Sequence, residues 1–291
     1  MIVLSVYCMI SRNDRFSIEA IKSIIASKKN NNIKVSLSIK KNIYNEIKEK
    51  INFNLNAINI IQYEHKFSNV FEHIKHLVML CKTDYIMILH DDDNIGLNFL
   101  NSTYNNILKY KPDALSSSAS FIDQNSETNS YMNSIKSKDK VYKISKQKVL
   151  NRYFFPYRDG ENVFPTFAFK TNLYKKYWED NKNYIGIHED VKIVYYFASR
   201  NSLYENGSRS NFFYRYHPKQ ESSKKSSSDR KKLINWLESL NLNFLYKLTL
   251  LFFASLQYLL YFKKYNLGNN KINYIIENIR LNIQNFRNKI K

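Results

Sequence analysis

The stretch YIMILHDDDNI, Tyr85 to Ile95, runs from apolar residues into a histidine and three consecutive aspartates. Adjacent carboxylates repel one another, and burying them is costly unless positive charge stands close by. Asp91 and Asp93, at i and i+2, can converge on one divalent cation. Mg²⁺ and Mn²⁺ take such oxygen ligands and share them with substrate phosphates. The competing reading is a solvated turn with Asp93 as a helix N-cap. A second acidic pair, Glu189 and Asp190 in IGIHEDVKIVYYF, opens a helix with Val191, Val194, Tyr195 and Ala198 on its apolar face. Acidic charge suits a helix N-terminus, and a carboxylate held there can also act as a general base. A third group ends FFYRYHPKQESS. Arg215 and Lys219 suit phosphate, and His217 suits phosphate or metal. An edge strand with outward polar residues gives the same pattern.

The elements that position these groups follow from periodicity. Ile2–Ile10, Ile33–Ile39, Ala57–Gln62 and Tyr85–Leu89 read as strands. Between and after them, Phe16–Ser27, Val70–Cys81 and Asn98–Leu108 carry apolar residues at helical spacing. Ala114–Ile122, Val163–Phe169 and Asn211–Tyr216 are further strands, with helices at Thr171–Trp178 and Asp190–Arg200. Strands separated by helices imply crossovers and a mainly parallel sheet. In such a sheet ligands sit beyond the carboxyl ends of the strands, where the aspartate run falls. The polar stretch Asn125–Lys148 reads as a loop or flap. KQESSKKSSSDRKK reads as a linker. Beyond it Leu233–Phe262 is strongly apolar, and the tail to Lys291 is a basic amphipathic helix candidate.

Composition bounds the function classes. At 291 residues and 44% hydrophobic content, one large domain or two small ones can build a core. Cys8 and Cys81 lie in apolar runs, form no metal spacing and no disulfide framework, and suit a reducing cytoplasm. The opening MIVLSVYCMI has no basic segment and no small-residue cleavage site, so it reads as a strand of the fold. A net charge of +20 points to an anionic membrane or a nucleic acid. The basic residues are 35 Lys and 10 Arg among many Asn and Ile, the usage of an A/T-rich genome, which accounts for part of that charge on solvated faces. It accounts less well for the C-terminal part.

Taken in order and spacing, the three groups resemble glycosyltransferase family 2. LSVYCMISRNDRFSIEAIKSII is similar to that family's first strand, turn and helix, and DYIMILHDDDNIGLNFL to its Asp-x-Asp block. KPDALSSSASFIDQNSE, IHEDVKIVYYFASRNSLY and YRYHPKQES resemble the following strand, the Glu-Asp helix and a closing motif. The likeness covers roughly residues 1–223. It departs at Lys40, Lys41 and Asn42, where an acidic residue usually follows the second strand. Ile10 and Arg12 replace the common Pro and Tyr, and His90 occupies a position often acidic.

The resemblance implies an α/β fold of the GT-A type: a mainly parallel sheet flanked by helices, with a Rossmann-like nucleotide-binding half. It implies a catalytic domain over 1–223; composition sets off a basic, apolar helical segment over 224–291 beyond it. It implies inverting transfer of a sugar from a nucleotide-diphosphate donor, uridine-linked by expectation, to a hydroxyl of a saccharide or lipid-linked acceptor. Bacterial surface glycan such as lipopolysaccharide or capsule is the family's usual product. Asp91, Asp93 and His217 are then the metal candidates for Mn²⁺ or Mg²⁺, and Arg12, Asn13, Asp92 and Arg215 the donor-binding candidates. Asp190 is the base, with Glu189 orienting the acceptor. Phe164, Pro165 and Thr166 are candidates for lining the acceptor side. The expected location is cytoplasmic, peripheral on the inner face of the membrane, with no nucleic-acid partner. A nucleotidyltransferase, a basic membrane- or polyanion-binding protein without catalysis, and a related subunit that has lost activity are the rival readings.

Overall fold

The computed structural model describes residues 1–51, 58–64, 67–128, 140–155, 163–182, 184–207, 211–217 and 227–267, with side chains in the last span from 228 to 256. The chain divides into two compact units. The first comprises residues 1–144, 160–182 and 199–220, and the second 145–159, 183–198 and 221–291.

The first unit begins with alternating strands and helices. In order these are β1 (Leu4–Ile10), α1 (Arg15–Ser27), β2 (Ile33–Lys40), α2 (Tyr44–Ile51), β3 (Asn59–Tyr63), α3 (Val70–Leu80) and β4 (Tyr85–His90). There follow β5 (Asn94–Ile95), α4 (Phe99–Tyr110), β6 (Ala114–Ser117), β7 (Ser120–Ile122) and β8 (Val141–Lys143). The second unit's α5 (Lys146–Phe154) intervenes before β9 (Ala168–Lys170) and α6 (Thr171–Asp180). After α7 (Glu189–Ser199) come β10 (Leu203–Asn206) and β11 (Phe212–Arg215), and the described chain ends in α8 (Ser227–Ser239) and α9 (Phe244–Leu267).

An eight-stranded sheet runs β3-β2-β1-β4-β9-β6-β10-β8. Pairings β3·β2, β2·β1, β1·β4 and β6·β10 are parallel. β9 runs antiparallel between β4 and β6, and β8 is an antiparallel edge on β10. All seven residues of β1 are buried, as expected of a central strand covered on both faces. Val6, Leu37, Met87 and Leu115 belong to one core cluster that also takes Ile21 and Ile24 from α1 and Leu100 and Ile107 from α4. Asp14 caps α1 by accepting the Ser17 N–H at 3.1 Å, and Asn69 caps α3 through the Phe71 and Glu72 N–H groups.

A second, three-stranded sheet runs β5-β11-β7. It corrects the expectation of one strand over Ala114–Ile122. The chain leaves the large sheet after Ser117 and enters the small one at Ser120, so β6 and β7 have different partners. The strand expected over Val163–Phe169 is also shorter. Phe164–Thr166 is a 3-10 turn opened by Pro165, and only Ala168–Lys170 joins the sheet. Of the expected flap, residues 140–148 form β8 and the start of α5, whereas 129–139 lie outside the described residues, as do the linker over 218–226 and the tail over 268–291.

In the second unit α9 packs Leu250 and Ala254 inward, and the buried Arg230 of α8 donates to the Ala254 carbonyl. Gly186 adopts φ +77°, and a Cβ there would lie 1.8 Å from the Asp229 carboxylate, so only glycine fits. Among the described residues no helix is long and apolar enough to cross a membrane.

Candidate active site

β1, β2 and β3 step outward in one direction, and β4 returns to the other side of β1. Where a parallel sheet reverses this way, the crossovers diverge and leave a crevice at the carboxyl ends of the two central strands. Here Ser11–Asn13 after β1 meet His90–Asp93 after β4. Asp91, 7% exposed, accepts the Ser11 N–H and Oγ–H on one oxygen, both at 2.9 Å, and Arg12 Nη2 on the other at 2.8 Å. Both of its oxygens are thus taken by the β1 turn.

Asp92 faces His217, with Nε2 to Oδ2 at 3.0 Å, and its Oδ2 lies 3.5 Å from Arg12 Nη2. Asp93 is 2% exposed; Oδ1 accepts the Arg215 backbone N–H at 3.0 Å. Its Oδ2 is buried and has no hydrogen-bond partner among the described residues. Burial, and then the charge of Asp92, push the Asp93 carboxyl well above the ordinary carboxylate range. His90, the last residue of β4, has an Nε2 that is likewise buried without a partner. Burial lowers its imidazole below the usual value, against the pull of Asp92 and Asp91. Ligand atoms of His90, Asp92 and Asp93 lie within 4.8 Å of one another.

Arg215 ends β11 with no exposed surface. Its guanidinium donates to the Asp92 carbonyl at 2.9 Å, the Asp123 carbonyl at 3.2 Å, Ser126 Oγ at 2.9 Å and Glu19 Oε2 at 2.9 Å. Its face lies 4.6 Å from the Phe16 ring centroid, and the His217 ring lies tilted against the same ring with centroids 5.4 Å apart. The sequence places Arg215 toward a diphosphate; the fold spends its donors on protein acceptors that fix the aspartate run. Asn13 donates to Glu46, and its carbonyl accepts Lys50 Nζ at 2.9 Å, which ties the β1 turn to α2. Lys41 pairs with Glu64, an acidic residue supplied from beyond β3.

The crevice therefore gathers Arg12, Asp91, Asp92, Asp93, Arg215 and His217, with Asn13 beside them. Lys219 lies outside the described residues. Phe164 packs its ring 5.8 Å from both Phe71 and Phe169, with Pro165 and Thr166 buried next to it.

Glu189 and Asp190 belong to the second unit. Glu189 is fully buried; Oε2 accepts the Ile185 N–H at 2.9 Å and Oε1 lies 3.8 Å from Lys192 Nζ. Asp190 is half-buried, and its Oδ1 accepts the Val191 N–H at 2.8 Å. The buried His188 imidazole Nδ1 meets the Tyr153 hydroxyl at 2.5 Å.

Sequence reasoning passed over Ser11 and Glu19. A lone serine in a turn and a glutamate on a helix face carry no motif, and only the pairing with Asp91 and Arg215 marks them. His90 was visible as a departure from the family pattern.

No protein-family model matches the chain, and no curated protein sequence matches it significantly. Solved structures do match. S. aureus TarS 1-349 in complex with UDP-GlcNAc aligns with a TM-score of 0.62 at 13% identity, over 86% of this chain and 70% of that one. S. aureus TarS aligns at 0.59 and 14% identity, over 86% of this chain and 42% of that one. GalNAc-T7 with UDP, GalNAc and Mn²⁺ aligns at 0.53 and 13% identity, over 81% of this chain and 48% of that one. With a mostly parallel sheet flanked by helices and a crevice between β1 and β4, the chain has the GT-A glycosyltransferase fold.

Proposed function

We propose that the chain is a metal-dependent, inverting glycosyltransferase that moves a sugar from a nucleotide-diphosphate donor to a hydroxyl of a saccharide or lipid-linked acceptor. The observation that carries this reading is the buried Asp93 Oδ2, without a partner among the described residues, beside Asp92 in the β1–β4 crevice. A carboxylate oxygen so placed is costly unless a cation completes it. Asp92 and Asp93 would hold a divalent cation, Mn²⁺ or Mg²⁺. When bound it supplies charge neutralisation at a leaving diphosphate.

The chain's own groups divide the remaining work. Ser11 and Arg12 fix Asp91, which pins the aspartate turn to β1. His217 holds Asp92, and Arg215 holds Asp93 and the Asp92 carbonyl, so both carboxylates are oriented in advance. Arg12, with a side chain 29% exposed, offers positive charge to the donor diphosphate. Arg215, wholly buried, serves that diphosphate only through the aspartates. Asn13 sets the turn that faces the nucleotide.

The base assignment rests on the sequence resemblance. Asp190 takes the proton of the acceptor hydroxyl while its oxygen bonds to the anomeric carbon and the bond to the diphosphate breaks. Glu189, locked by the Ile185 N–H, holds the start of α7 in place.

The acceptor class suggests the partner surface. α9 exposes Phe244 and Leu245, each 71%, Leu248, 47%, and Phe252, 62%, opposite the buried Leu250 and Ala254. From Phe244 onward the sequence holds eight basic residues and one acidic residue, Glu277. An apolar helical stripe within a basic stretch of sequence suits the headgroup boundary of an anionic bilayer. We propose a peripheral place on such a membrane, on the cytoplasmic face where lipid-linked acceptors are made.

The test is a screen of nucleotide sugars with Mn²⁺ by thermal shift and by product analysis. The expected result is stabilisation by a uridine-linked sugar and release of free nucleoside diphosphate. Release of pyrophosphate would make the chain a nucleotidyltransferase. The absence of both stabilisation and turnover across the donor panel would favour a non-catalytic binding protein.

A further inference from the structure

We infer that His90 supplies a nitrogen ligand to the cation site, so that the site selects first-row transition ions such as Mn²⁺ and Co²⁺ over Mg²⁺. The inference rests on the cation site proposed above and names its third ligand. His90 is fixed by the sheet: it pairs with Met9 in the parallel β1–β4 register, and its carbonyl accepts the Cys8 Sγ–H at 3.7 Å. The side chain therefore leaves the strand at a set point, beside the first residue of the aspartate turn. Its Nε2 is enclosed and has no hydrogen-bond partner among the described residues. Buried imidazole nitrogens are ordinarily satisfied; Asp93 Oδ2 is a second buried atom without a partner among the described residues, and a ring nitrogen of His90 lies within 4.8 Å of carboxylate oxygens of Asp92 and Asp93.

Among the described residues no hydrogen bond reaches either atom. Arg12 Nη2 is committed to Asp91, and Arg215 to Glu19, Ser126 and two carbonyls. Ligand atoms about 2.1 Å from one ion stand up to about 4.2 Å apart, so a small side-chain rotation closes the set. His217 has a different task. Its Nε2 is spent on Asp92 Oδ2, the arrangement of a histidine that orients a ligand.

The chemistry of a mixed set follows. Mg²⁺ favours oxygen and keeps its waters. An imidazole nitrogen raises affinity along the first-row series, from Mn²⁺ through Co²⁺. Two carboxylates without His90 would discriminate far less.

The test uses the full chain, stripped of metal and loaded with substoichiometric Mn²⁺. Pulsed electron paramagnetic resonance reads ¹⁴N coupling to the ion directly. Competition with Mg²⁺, followed through the free-Mn²⁺ signal, reads the selectivity. Wild type is expected to carry one directly coordinated nitrogen. His90→Asn is expected to lose that coupling and about tenfold or more of its preference for Mn²⁺ over Mg²⁺. His217→Asn is expected to keep the coupling. Because the wild-type spectrum alone reports a bound nitrogen, poor folding of a variant does not shield the inference. Mn²⁺ binding without ¹⁴N coupling, or coupling that vanishes in His217→Asn and survives in His90→Asn, overturns the role of His90 while leaving the cation site standing. A wild-type chain that binds no Mn²⁺ overturns both.

Discussion

Replacing Asp93 with Asn isolates the carboxylate oxygen that the fold leaves without a partner. Asp93 is 2% exposed, its Oδ1 takes the Arg215 N–H at 3.0 Å, and its Oδ2 takes nothing from the described residues. An amide keeps the acceptor for Arg215, removes a charge from a crowded acidic turn and offers N–H groups to Asp92. A buried polar group without a partner costs about 1–3 kcal/mol. The metal-free variant should therefore be more stable than wild type by about that amount, with a rise in Tm of roughly 2–4 °C per kcal/mol for a chain of this size. With Mn²⁺ the order should reverse. An ion present at one thousand times its dissociation constant stabilises its host by about 4.1 kcal/mol, more than the difference in chelator, and the variant should gain none of this. Scanning calorimetry in chelator and in Mn²⁺, on both proteins, measures all four values. A variant that melts lower than wild type in chelator, or that keeps the full Mn²⁺ shift, refutes the reasoning.

Arg215→Met should cost about 2–6 kcal/mol in urea denaturation, because the Asp92 and Asp123 carbonyls lose their donor at about 1–3 kcal/mol each, while Glu19 keeps Arg15; a loss below about 1 kcal/mol, the scale of an exposed ion pair, would mean that water replaces the guanidinium. Asp190→Asn should lower sugar transfer by about 10²–10⁴-fold while donor-induced stabilisation is kept; parallel loss of both would make Asp190 a binding residue. His73, buried against Phe67 and hydrogen-bonded to Ser38, is depressed by burial to about 4 from 6.5. The unfolded chain therefore takes up its proton first, so stability is full above pH 6.5 and falls as pH drops toward 4, by roughly 3 kcal/mol in all; His73→Gln should flatten that slope in urea titrations. The full chain should sediment with anionic phosphatidylglycerol vesicles and release in high salt, and Ser at Phe244, Leu245, Leu248 and Phe252 together should abolish sedimentation; unchanged sedimentation of that variant would move the contact off α9.

Much of the large sheet was legible in the sequence because its strands are local apolar runs. Leu4–Ile10, Ile33–Lys40 and Tyr85–His90 are buried on both faces, so hydrophobicity alone marks them. The aspartate run was legible too, since three adjacent carboxylates at a strand end need a reason. The tertiary structure decided what each carboxylate does. Asp91, Asp92 and Asp93 look alike in sequence, yet one is bound by Ser11 and Arg12, one by His217, and one keeps an open oxygen. Those partners lie 79 to 125 residues away along the chain, beyond any local pattern. The same holds for Arg215, whose partner Glu19 is 196 residues distant. It holds for the division of Ala114–Ile122 between two sheets. Sequence periodicity records which residues are apolar and at what spacing. Which strand pairs with which, and which oxygen is left without a proton donor, depend on contacts that only the folded chain creates.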